Sequence, residues 1–460
     1  MYQYFGNQLF GLIFFSILAF ATAYIIVGAR KLEQVLISAA IITAPWCGGI
    51  WIQPLVIDCR LSEIFILAAF LYSFSFAPLR LKKINVNQYI IFPLILLIIW
   101  ASFVSLSAID VHVAFGGVYT FAFNVIYFVT ILKAIRNTSD FNVVLNSIFM
   151  GVLYTAIIGI LQYKISYFSV GFIDRSFTKF MYWRSRSTFY HANQYGFYHL
   201  FILPLIFRST IMMFGMKNMK RFFIYGTLLL ISIFTLYITS NRGSWIGFVA
   251  GMGLTIGWDL LHSTTKKNKK TLINVSIILG VFLLLASVRY GARIYERLYE
   301  GSGKISNQAE ERKELNEDAY KMIAANPIKG VGVWNFEYHS DQVIFTHNLY
   351  LYVLSEVGYP GFVLFLLPLI AITIIAIYIR MVKNFYVSNL GSALLATMVS
   401  FGIAAIPGPD YWVSNQVACH LWIVTAAILG FERVFYNHEL HNHKKKRVEN
   451  FIKLKNENRN

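Results

Sequence analysis

Long apolar stretches, each near the length a helix needs to cross a bilayer, follow one another along most of this chain, and no other feature constrains its fold as strongly. A hydrocarbon core of about 30 Å takes roughly 20 apolar residues as a helix. Stretches of that kind run at about 9–28, 34–55, 61–77, 89–107, 114–134, 142–163, 194–214, 221–239, 243–261, 271–289, 359–380, 387–407 and 413–432. The segment 34–55 is broken by Pro45, Gly48, Gly49 and Pro54, so it either spans or re-enters, and the side of Met1 depends on which. With 57% hydrophobic and only 13% charged residues, a chain of 460 residues lacks the charge to cover a soluble globule. The expected fold is an all-α integral membrane bundle of about 12 transmembrane helices with one long helical loop outside. Residues 1–433 read as a single polytopic domain and 434–460 as a basic, unstructured cytoplasmic tail. Ala19 and Ala21 give a small-x-small pattern, but the first eight residues carry no basic charge, so the first stretch reads as a span and not as a cleaved signal.

The formal net charge of +18 would suit a nucleic-acid binder, but its distribution argues otherwise. Basic clusters fall at Arg30/Lys31, Arg80/Lys82/Lys83, Lys133/Arg136, Arg208/Lys217/Lys220/Arg221, Lys266/Lys267/Lys269/Lys270, Arg380/Lys383 and the tail from Arg433. From the second cluster on they occupy alternate loops, as the positive-inside rule requires. Counting back from a cytoplasmic C-terminus, the loops near 164–193, 240–242, 290–358 and 408–412 face outward. The run Lys444–Arg447 reads as a solvated tail, with contact to anionic headgroups as the alternative.

The outward loop 290–358 is the only long polar stretch, and it holds one clear helix. Asn307, with Glu310 three residues on, has the spacing of a capping box. Leu315, Ala319, Met322 and Ile323 line one face, Asn326-Pro327 ends the helix, and Gly330 and Gly332 follow as turn residues. A second amphipathic segment, His347 to Gly358, leads into the span at 359–380; at 3.6 residues per turn Gly358 returns to the face of His347.

Four arginines draw notice because they lie in outward loops beside apolar spans. Arg184 and Arg186 precede the span at 194, Arg242 sits in the turn Ser240-Asn241-Arg242-Gly243 between two spans, and Arg312 lies on the loop helix. A guanidinium is planar, permanently charged and bidentate, which suits phosphate. Headgroup contact or helix capping is the plainer use. His347, at a helix start beside a membrane, could act as a general base near neutral pH; a hydrogen-bonded structural role is the alternative. His191, His199 and His339 lack a companion set with zinc spacing, and Cys47, Cys59 and Cys419 form no CxxC pair, so neither a metal site nor a disulfide framework is expected. No Walker loop, dinucleotide fingerprint, nucleophile elbow or outward DxD pair is present, so no cofactor is expected and a metal-bound nucleotide-sugar donor is disfavoured.

In their order, these motifs resemble the O-antigen ligase and polymerase superfamily, integral-membrane enzymes that move glycans off a polyprenyl pyrophosphate carrier. The likeness spans about 180–375. Arg186-Ser187-Thr188-Phe189 through Asn193 resembles the family's Arg, Gly-Thr-Phe and Asn, with Ser187 in place of the Gly. Ser240-Asn241-Arg242-Gly243 resembles its Ser-Arg-Gly turn. Arg312 followed by Asn326-Pro327-Ile328-Lys329-Gly330-Val331-Gly332 resembles its Arg-helix-Pro-Gly-Val-Gly stretch. His347-Asn348, nine residues, Gly358, two residues, Gly361 repeats the His-Asn spacing of the family's ligases.

The resemblance implies a C-shaped bundle with a helical periplasmic loop over an outward cavity, in the bacterial cytoplasmic membrane. The implied partners are a glycan donor on undecaprenyl pyrophosphate, a glycan, lipid or protein acceptor, and membrane lipids, with no nucleic acid. Arg186 and Arg242 would hold the pyrophosphate without a metal, with Arg312 and Arg184 as further substrate contacts beside Asn193 and Asn348. His347 would position or deprotonate the acceptor hydroxyl. Ligase and repeat-unit polymerase both fit, and the His-Asn spacing favours the ligase. A transporter or flippase would instead place ionisable residues within several spans, and the spans here are nearly charge-free.

Overall fold

The computed structural model describes residues 17–27, 31–46, 49–52, 57–76, 87–164, 184–262, 269–277, 280, 302–342 and 344–457. The outer parts of the spans expected at 9–28 and 271–289, the loop start at 290–301, Cys47 and the basic residues Arg30, Arg80, Lys82, Lys83, Lys266 and Lys267 lie outside them.

The bundle opens with α1 (Ile17–Val27) and α2 (Leu32–Thr43), followed by a hairpin of β1 (Gly49–Ile52) and β2 (Ile57–Arg60), then α3 (Leu61–Phe76). A π turn at Asn87–Ile91 leads into α4 (Phe92–Ser105), α5 (Val111–Ala134) and α6 (Thr138–Lys164). Next come α7 (Ala192–Gly215), α8 (Met219–Ile238), α9 (Arg242–His262) and the loop helix α10 (Ser302–Ala325). The chain ends with α11 (Leu349–Arg380), α12 (Phe385–Ala404), a short α13 (Asp410–Val413) and α14 (Asn415–Glu457). Among the described residues, 8 helices are long and apolar enough to cross a membrane, and four shorter apolar ones accompany them.

Side chains just ahead of the helices fix where several begin. Asp110 caps α5 through Val113 N at 3.0 Å, Asn218 caps α8 through Arg221 N at 3.2 Å, and Asn384 caps α12 through Tyr386 N at 2.9 Å. Each such cap satisfies an amide that the first helical turn leaves orphaned, an effect of about 1 kcal/mol. At the centre stands α7, almost wholly buried between α8, α9, α12 and α14. Its core face is aromatic: Tyr195, Tyr198, Phe197, Phe201 and Phe207 are all inaccessible. α14 packs on α5, α11 on α4 and α12, and α2 on α3 and α6.

The loops read as outward share one end of the bundle. Ser185 N reaches Ile238 O at 2.9 Å, Leu349 N reaches Ala405 O at 3.0 Å, Trp334 Nε1 reaches Trp412 O at 3.1 Å, and Asp110 N reaches Asn335 Oδ1 at 2.8 Å. Charge alternation alone had grouped the loops at 164–193, 240–242, 290–358 and 408–412.

Several expectations need correction. Segment 34–55 is not one unbroken helix. Its helix α2 starts where Glu33 pairs with Arg136 at 2.8 Å, beside the α5–α6 turn. It stops short of Pro45, whose carbonyl meets Thr188 and Gln416 at the opposite end, and Gly49–Ile52 then pairs antiparallel with Ile57–Arg60, the one sheet among the described residues. Asn307 lies inside a helix and not ahead of one, because α10 already begins at Ser302. The basic tail is helical through Glu457 as a continuation of α14. Arg208 and Arg380, counted as loop charges, lie within α7 and at the end of α11, and both bind Asp259 of α9, at 2.6 and 2.5 Å. The spans therefore carry more charge than expected, in a buried ion triad whose desolvation only close pairing offsets.

Candidate functional site

The turn at 184–191 is built by its small polar side chains. Ser185 Oγ donates to Gly159 O at 2.9 Å, Ser187 Oγ to Thr155 O at 2.6 Å and Thr188 Oγ1 to Pro45 O at 2.5 Å, so the turn is fastened to α6 and to the end of α2. Ser187 has φ 52°, a left-handed conformation that costs an L-residue energy and a glycine little, which accounts physically for a Gly at this place in the motif. Arg184 donates from Nε to Thr239 O at 2.8 Å and from Nη2 to Asn193 Oδ1. Asn241 Nδ2 in turn donates to Asn193 O at 3.2 Å. Arg184 and Asn193 thus clamp the 184–193 and 239–241 turns together. Arg186 Nη1 donates to Tyr190 O at 3.2 Å.

Beyond that clamp, Asn241 Oδ1 accepts from Ser244 N at 3.2 Å and starts α9, with Arg242 as its first residue. Among the described residues the half-buried Arg242 guanidinium has no hydrogen-bond or ion-pair partner. Its own charge reaches Arg312 of α10. Partial desolvation and the charge of Arg242 lower the Arg312 pKa, against the pull of Glu311. Asn316, one turn along α10 from Arg312, accepts from Thr346 Oγ1 at 2.7 Å, which brings the His347 segment to the same helix face. His347 is half-buried, its ring 6.2 Å from that of Phe345. Burial and then Arg312 push its pKa below the ordinary 6.5, with Glu311 opposing, so the imidazole is neutral at pH 7. Arg242, Arg312 and His347, from three separate elements, form one electrostatic group.

Asn348 is a cap: its Oδ1 accepts from Tyr350 N at 3.0 Å and Leu351 N at 3.2 Å. The two glycine motifs prove to be one packing unit. Gly358 breaks α11 with φ 64° and ψ −176°, so Gly358 does not return to the face of His347 on a continuous helix. The neighbouring carbonyls instead bind the loop, with Val331 N on Ser355 O and Gly332 N on Glu356 O, both at 2.9 Å, while Tyr359 N meets Pro327 O at 2.9 Å. Glu356, fully buried below, accepts from Trp412 Nε1 at 2.7 Å and Phe336 N at 3.3 Å.

Sequence reasoning missed two features. Asp410, in the short helix α13, is buried, which raises its carboxyl to about 7 against the lowering charge of Arg184. Its place in a loop that charge alternation groups with those of the arginines is the available signal. The second is a cavity of about 270 Å³ whose lining includes Arg60, Gln194, Asn415 and Gln416, which come from three distant parts of the chain. No local pattern could have joined them.

Fold and site together define a multi-pass membrane protein with a cluster of cations and a neutral histidine at one end of its helices. The family model described as O-Antigen ligase matches residues 227–366, so this part of the chain is similar to the O-antigen ligase and polymerase superfamily. The match takes in Arg242, Arg312, His347, Asn348, Gly358 and Gly361 and leaves out Arg184, Arg186 and Asn193. The comparison with curated proteins gave no match.

Proposed function

We propose that this protein transfers a glycan from undecaprenyl pyrophosphate to an acceptor hydroxyl at the outer face of the bacterial cytoplasmic membrane, without a metal. The observation that carries the reading is the pairing of Arg242 with Arg312. Two guanidiniums are held within reach of one another's charge, and Arg242 has no carboxylate among the described residues. Such an arrangement is costly unless an anion completes it, and a pyrophosphate leaving group supplies the matching charge. The acceptor oxygen attacks the anomeric carbon, its proton passes to neutral His347, and the bond from that carbon to the pyrophosphate oxygen breaks. Arg242 and Arg312 stabilise the departing charge, and Arg186 lies across the Arg184–Asn193 clamp as a third cation. The Arg208–Asp259–Arg380 triad does not favour a transporter, because it sits at the opposite end and its carboxylate is already doubly bound.

The His-Asn spacing favours a ligase over a polymerase. Purified protein in nanodiscs, given a lipid-linked glycan and a separate acceptor in the presence of EDTA, should move the glycan to the acceptor. Lengthening of the glycan on its own lipid would establish the polymerase instead. Activity restored only by magnesium or manganese would overturn the arginine-based account.

A further inference from the structure

The cavity beside Tyr190 is lined by side chains whose hydrogen-bonding capacity the chain itself leaves unused. Arg60, Gln194, Asn415 and Gln416 are only 4%, 6%, 8% and 2% exposed. Arg60 Nη1 and the amide oxygens of Gln194, Asn415 and Gln416 are each buried without a hydrogen-bond partner. The orientation of two of these amides is set from behind. Gln416 Nε2 donates to Pro45 O at 2.5 Å and Thr188 O at 3.0 Å, and Asn415 Nδ2 donates to the Glu63 carboxylate, so their oxygens cannot be exchanged with their nitrogens without losing those bonds. A buried polar atom left unpaired costs about 1–3 kcal/mol, and the four side chains that carry these atoms line a single cavity of about 270 Å³.

The donor and acceptor pattern selects the ligand. These side chains hold three unused carbonyl acceptors and one unused N–H donor, so a matching occupant brings several O–H or N–H groups and at least one acceptor oxygen. The charge of Arg60 is already matched by Glu63, at 2.7 Å, and Tyr119 OH donates to the same carboxylate at 2.8 Å, so no net positive charge remains for an anion. The guanidinium likewise disfavours a cation. Trp334 and Tyr190 add aromatic surface to the lining. An uncharged molecule rich in hydroxyls, with apolar C–H surface to lay against a ring, fulfils all of these demands.

We infer that this cavity is a subsite for one neutral sugar residue of the glycan substrate. The inference rests on the glycan-transfer reading and adds where a sugar is gripped and of what charge class it is. Two lining residues adjoin the Arg184–Asn193 clamp: the Tyr190 carbonyl accepts from Arg186, and Gln194 follows the clamped Asn193.

The test is saturation-transfer NMR of the full chain in nanodiscs with methyl glucoside, methyl N-acetylglucosaminide and methyl glucuronide. The neutral glycosides should bind and the glucuronide should not. Gln194→Met removes one acceptor at equal length, and Val113→Trp fills the cavity from α5. Each should weaken glycoside binding at least tenfold while the melting temperature is kept. Arg242→Ala should lose transfer and keep glycoside binding. Absence of binding by any glycoside, a preference for the glucuronide, or unchanged binding in both cavity variants would overturn the subsite. Glycoside binding without any transfer activity would instead remove the enzymatic reading and leave the subsite standing.

Discussion

A Cβ placed on Gly358 would sit 2.1 Å from the carbonyl oxygen of Ile328. The helix that follows His347 and the loop that follows Arg312 are therefore in backbone contact at a point where only glycine fits. The φ of 64° with ψ near 180° lies in a region that is essentially closed to other residues. Gly358→Ala should lower stability by about 1–3 kcal/mol from the backbone strain alone, with the clash in addition. Thermal denaturation in detergent will measure it. A melting temperature equal to wild type would show that the contact is not needed.

Arg242→Lys should impair transfer nearly as much as Arg242→Ala. Lysine keeps the charge but not the planar fork that binds two oxygens of a pyrophosphate. By analogy with the loss of one oxyanion-hole donor, each change should cost about 2.7–4 kcal/mol, a factor of roughly a hundred to a thousand in turnover. Steady-state rates with a lipid-linked donor decide it, and full activity in the lysine variant would reduce Arg242 to a point charge.

His347→Ala should abolish turnover and leave donor binding intact, because the imidazole acts on the acceptor. The pH profile gives a sharper check. Since burial and Arg312 lower the His347 pKa, the base is neutral through pH 7 and activity should fall only on acidification below its ordinary 6.5. Removing the cation in Arg312→Gln raises that pKa, so the acid limb of kcat/KM should move to higher pH. An unmoved limb would separate the two residues.

Cysteine substitutions at Lys313 and Asp341, both exposed, should react with a membrane-impermeant thiol reagent in cells whose inner membrane is intact, while one at Asn458 should not. Thr188 or Ser340 would be poor choices, since each is buried. The reverse labelling would place the arginine cluster on the cytoplasmic side and remove the lipid-linked donor from consideration.

Much of the bundle was legible in the sequence because each span satisfies its own backbone and shows its apolar length locally. Charge alternation sorted the loops by side, so Arg184, Arg186, Arg242, Arg312 and His347 could be assigned to one end before any contact was known. The sequence could not show that Arg184 is occupied with Thr239 and Asn193, that Asn348 serves as a cap, or that the Gly330–Gly332 and Gly358–Gly361 motifs are two halves of one joint. It also read Arg208 as a loop charge, since the Asp259 that holds it lies on another helix. Tertiary structure alone assembled the cavity of Arg60, Gln194, Asn415 and Gln416. The physical reason is one of range: helix length, capping and side of the membrane follow from neighbours along the chain. Which polar atoms are left unpaired depends on which distant helices bury them together.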